Sequence, residues 1–126
     1  MKRVSICVVI GLVAATLSLR SASALPPFNK EWVGKYVTGN PNETFVESAG
    51  TAKCNVCHKG VSKKDHNEYG QALKKYVTKD GYNAIKANAA AATKYIIDGL
   101  NETEGAKNAA GKTFGERIKA GELPGG

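Results

Sequence analysis

Lys53-Cys54-Asn55-Val56-Cys57-His58-Lys59-Gly60 holds two cysteines three positions apart and a histidine directly after the second. A third cysteine, Cys7, lies far upstream, inside an apolar run from Val4 to Leu19. Two thiols and an imidazole in five consecutive residues allow four kinds of chemistry: a redox dithiol, a metal site, a structural disulfide, or attachment of a prosthetic group.

A dithiol oxidoreductase motif calls for a βαβ setting, whereas these cysteines sit among segments of helical periodicity. Zinc would need Cys54, Cys57, His58 and His66 together, and the adjacency of Cys57 and His58 strains tetrahedral closure around one ion. A disulfide across C-x-x-C closes so short a loop that it restricts the unfolded chain only slightly. The fourth reading is haem attachment, for which C-x-x-C-H is the signature. The thiols bond to one side of the porphyrin and the neighbouring histidine ligates its iron.

Outward from the motif, the N-terminus starts with Met1-Lys2-Arg3, continues through the apolar run and reaches Ala22-Ser23-Ala24. A basic start, an apolar middle and a small-x-small end make residues 1–24 a secretory signal peptide, with the exported domain at 25–126. Cleavage would remove Cys7, Met1 and three of the 18 basic residues, leaving Cys54 and Cys57 as the only cysteines of a mildly basic chain. The expected location is periplasmic or otherwise extracytoplasmic. The apolar run is shorter than the ~20 residues that span a bilayer, and no later segment could span one. The lysines are interspersed with acidic and amide residues rather than gathered into a stripe, which argues against nucleic acid as a partner.

Helical spacing dominates the rest. Phe28, Trp32 and Tyr36, with Val33 and Val37, make one apolar face; Gly39-Asn40-Pro41 ends that helix. Asn42 or Pro41 can open a second, running through Phe45 and Ala49 toward the cysteines. Asp65 and Glu68 have capping-box spacing ahead of Tyr69, Ala72, Leu73, Tyr76 and Val77, up to Asp80-Gly81. An alanine-rich helix is expected from about Tyr82 to Asp98, stopped by Gly99, then a polar loop from Asn101 to Lys112. Thr113-Phe114-Gly115-Glu116 is another capping box, with Phe114 and Ile118 on one face and Gly121 and Pro124 as the stop. No segment alternates with period two, so the expected class is all-α. One tryptophan, five tyrosines and three phenylalanines make a thin core, which a buried haem would complete.

On the export signal, Cys54-x-x-Cys57-His58 and the surrounding short helices, the chain resembles the small bacterial monohaem c-type cytochromes. The resemblance implies a cytochrome c-like bundle of about four to five short helices around one covalent haem c, inserted by export-side maturation machinery. It also implies His58 as an axial iron ligand and electron exchange with redox partner proteins, for which an acidic docking surface would suit the lysines. No substrate chemistry is required, and an electron carrier rather than an enzyme is expected.

Two features depart from the best-known class of that family. The only methionine is Met1, so no methionine of the exported domain can be the second axial ligand. Gly50 stands where an aromatic usually precedes the first cysteine by four residues. His66 is the candidate second axial ligand: the eight-residue span from His58 reaches at most roughly 26 Å when extended. Lys63 could ligate only after losing a proton from an amine of ordinary pKa ~10.4. An open sixth position would instead make the chain a five-coordinate gas or ligand sensor, or a peroxidase-like enzyme.

Overall fold

The computed structural model describes residues 25–126, so the expected signal peptide at 1–24 lies outside the described residues. Its elements in chain order are α1 (Pro26–Tyr36), α2 (Glu43–Ala52), a 3-10 turn (Lys53–Val56), β1 (His58–Lys59), β2 (Asp65–His66), α3 (Glu68–Leu73), α4 (Lys79–Ile85), α5 (Ala89–Glu104) and α6 (Phe114–Lys119). The fold is helix-rich. The one sheet among the described residues is a hairpin of two-residue strands, antiparallel, pairing His58 with His66 and Lys59 with Asp65.

The helices start where short polar side chains can satisfy free backbone N–H groups. Asn42, Asn67, Thr78, Asn88 and Thr113 each accept such a bond, and Thr113 with Glu116 forms the full capping box expected there. α1 instead has proline in its first turn, where the missing N–H costs nothing.

α5 is the central element, packed against α1, α3, α4 and α6. The core gathers Trp32 and Tyr36 from α1, Phe45 from α2, Tyr69 and Leu73 from α3, Ile96 and Leu100 from α5, and Phe114 and Ile118 from α6. Phe28, Val33 and Val37 pack against its edge, completing the apolar face read for the first helix. No helix among the described residues is long and apolar enough to cross a membrane.

Four boundaries differ from the sequence expectation, the first being that α3 ends at Leu73, short of Tyr76 and Val77, and that Asp80-Gly81 lies inside α4 rather than stopping a helix. Asp65 belongs to β2, and Asn67 caps α3 in its place. The expected helix from Tyr82 to Asp98 is two helices, broken before Asn88, whose side chain accepts from Ala91 N–H and starts α5 afresh. Gly99 does not stop α5, which continues to Glu104. A Cβ at Gly99 would lie 2.0 Å from Val77 Cγ2, so glycine there permits a close approach rather than an ending.

Candidate functional site

The C-x-x-C segment is a 3-10 turn directly after α2. Lys53, at the junction, has φ 49°, a left-handed value that a lysine adopts only under constraint, and it turns the chain so that Cys54 and Cys57 face inward. Both cysteines are free thiols and partly buried. Burial, and then the neighbouring Cys54, pushes the Cys57 thiol up to about 12, so it is protonated at physiological pH.

Asn67 holds this turn in place. Its side-chain amide donates to the carbonyls of Asn55 (3.1 Å) and Val56 (2.9 Å), the two residues between the cysteines, while its Oδ1 accepts from Gly70 N–H (2.9 Å). Its backbone N–H donates to the Cys57 carbonyl at 3.0 Å. One buried residue thus ties the cysteine turn to the start of α3. Two glycines make room: a Cβ at Gly70 would fall 2.0 Å from the Cys57 carbonyl oxygen, and one at Gly125 would fall 2.0 Å from Asn67 Nδ2.

Facing the thiols is an open cleft with mostly apolar walls. Phe28 and Trp32 of α1, Val56 of the turn, and Leu73 with Val77 beyond α3 give it apolar walls. Cys54, Cys57, His58 and His66 all line it, and Asn29, Lys53 and Lys74 add polar groups.

The hairpin determines how the two histidines stand. As cross-strand partners, His58 and His66 rise from the same face, their ring centroids 4.5 Å apart and their planes 36° from parallel. They stand side by side on one wall, not facing each other across the cleft. Burial, then His58 and Lys74, keeps the His66 imidazole neutral to lower pH than usual. His58 Nδ1 is the one buried side-chain polar atom among the described residues with no hydrogen-bond partner. His58 itself lines the cleft, and a neutral imidazole is a common metal ligand through either ring nitrogen. Two free thiols and two imidazoles on one mostly apolar cleft make a donor set that could hold a metal-bearing cofactor.

The structure therefore brings Cys54, Cys57, His58 and His66 to one cleft. Among the described residues no three His, Cys, Asp or Glu side chains converge into a metal-ion cage. Sequence reasoning missed Asn67, Gly70 and Gly125, which position the cysteine turn. Asn67 carries a faint local signal, since asparagine three residues before Gly70 has helix-cap spacing. No protein-family model matches this chain, and comparison with curated proteins and with solved structures gives no match either.

Proposed function

We propose that this protein is an exported electron carrier with one haem c, held by thioether bonds from Cys54 and Cys57 and ligated by His58, in a cytochrome c-like arrangement of short helices. The observation that carries the reading is the convergence of Cys54, Cys57 and His58 on one mostly apolar cleft. Bound there, haem supplies an iron that takes up and returns one electron.

The chain's own residues set the conditions. Phe28, Trp32, Leu73 and Val77 exclude water, which lowers the local dielectric and favours the less charged state of any ion held there. Asn67 fixes the spacing of the two thiols before any bond is made, so that attachment does not have to order the turn. The hairpin beside the cleft carries Lys59, Lys63 and Lys64, with Val61 almost fully exposed at its tip. A basic rim around an apolar tip suits brief docking of an acidic redox partner, with long-range attraction raising the encounter rate.

Protein produced with haem-maturation machinery should show a reversible one-electron optical titration. The ferric form should lack the weak band near ~695 nm that iron–methionine ligation gives, because no methionine follows Met1. A colourless product from cells that mature other c-type cytochromes would contradict the proposal.

A further inference from the structure

Holding a cofactor gives no use for the polar atoms of three buried aromatics. The Trp32 side chain lines the cleft, and its Nε1–H donates to the Tyr69 hydroxyl at 3.1 Å. Tyr69 is wholly buried. One helical turn after Trp32, Tyr36 has its ring centroid 5.4 Å from the indole, so the two rings are in direct contact. Tyr36 then donates to Glu104 Oε1 at 2.8 Å, and Glu104 is paired with Lys35 at 2.9 Å, where the chain of contacts reaches solvent.

The two ends have complementary protonation. Burial, then Tyr69 and Glu104, raises the Tyr36 phenol above its ordinary range, so it does not ionise by itself. Burial alone would also raise the Glu104 carboxyl, but hydrogen bonds from Lys35 and Tyr36 outweigh this and hold it below the usual range. Glu104 is thus a carboxylate at hydrogen-bond distance from a phenol that becomes strongly acidic when it loses an electron.

A single haem iron stores one electron, whereas peroxide must take two to become water. His66 stands beside His58 rather than opposite it, so among the described residues neither histidine nor methionine is set against the far side of a group bound by His58. Resting on the haem reading above, we propose that Trp32, Tyr69 and Tyr36 are a relay that gives the second electron to hydrogen peroxide at the cleft, Tyr36 becoming a neutral phenoxyl radical and Glu104 receiving its proton. The O–O bond breaks, and peroxide with two electrons and two protons yields two waters. A haem held at the cleft would supply one electron as its iron passes from ferrous to ferric. Tyr36 gives the other as its O–H bond breaks, its proton passing to Glu104 and on to solvent, which supplies the two protons that the peroxide oxygens take up.

The test mixes ferrous, haem-loaded protein with one equivalent of hydrogen peroxide and freezes it for electron paramagnetic resonance. A tyrosyl radical is expected in the wild type and in Tyr76→Phe, an exposed control. It should vanish in Tyr36→Phe. It should fall several-fold in Glu104→Gln, whose amide oxygen still accepts the Tyr36 hydrogen bond but cannot take the proton. Mass measurement of each sample beforehand separates the failures. A sample without attached haem sinks the cofactor reading and the relay with it. A haem-bearing wild type without a tyrosyl radical, or a radical unchanged in Tyr36→Phe, overturns the relay alone.

Discussion

The Asn67 carboxamide makes three hydrogen bonds from a site only 6% exposed, two to the residues between the cysteines and one to the first turn of α3. Asn67→Ala leaves those buried groups without partners, each costing about 1–3 kcal/mol when no water replaces it. We expect a loss of about 3 kcal/mol in urea unfolding. A loss below 1 kcal/mol would show that the turn holds itself. Glu104 gives a pH-dependent counterpart. Its folded pKa is depressed, so its contribution is complete above the ordinary glutamate value of ~4.3 and disappears as pH falls through the lower folded value. The urea midpoint of the wild type should therefore drop more steeply on acidification below about pH 5 than that of Glu104→Gln. Parallel pH profiles would refute the role given to the Lys35–Glu104–Tyr36 contacts. At this scale the gathering of Cys54, Cys57 and His58 on one cleft was legible because the three are adjacent in the chain. Asn67 and Gly125 were not, because their roles depend on approaches made across the fold.

Gly99 shows how an element can be misjudged when a local rule competes with packing. A glycine after an alanine-rich stretch reads as a helix stop, yet α5 runs through it because Val77 occupies the space that a Cβ would need. Alanine at position 99 would gain about 1 kcal/mol of helix propensity but lose about 1–3 kcal/mol to overpacking. Gly99→Ala should thus be destabilising alone and more nearly neutral on a Val77→Ala background, giving a measurable coupling in thermal or urea unfolding. Additive effects would mean that the two sites do not compete for one space. The Asp65–Glu68 and Asn67–Gly70 pairs show a similar ambiguity. Both have three-residue cap spacing, and pairing with β1 drew Asp65 and His66 into a strand, leaving Asn67 to start α3. The Thr113 capping box had no such rival, and it forms where the sequence placed it.

Across the molecule, the apolar periodicities were sufficient to indicate a helical chain, and the core draws on the same residues: Trp32, Tyr36, Phe45, Tyr69, Leu73, Ile96 and Phe114. The short hairpin escaped notice because two-residue strands carry no alternation to detect. That hairpin decides how the histidines stand, so the side-by-side arrangement of His58 and His66 follows from tertiary pairing rather than sequence spacing. The architecture surrounds its cleft with α1, the cysteine turn and α3, and an occupant bonded to the turn would bridge elements that are distant in the chain. The most direct measurement is the intact mass of protein matured in cells with haem-attachment machinery, taken after full denaturation. The account predicts one haem retained per chain, lost in the Cys54→Ala, Cys57→Ala double variant, and no thiol free to react with an alkylating reagent. Haem released by denaturation, or two alkylatable thiols at Cys54 and Cys57 in the purified protein, would contradict it.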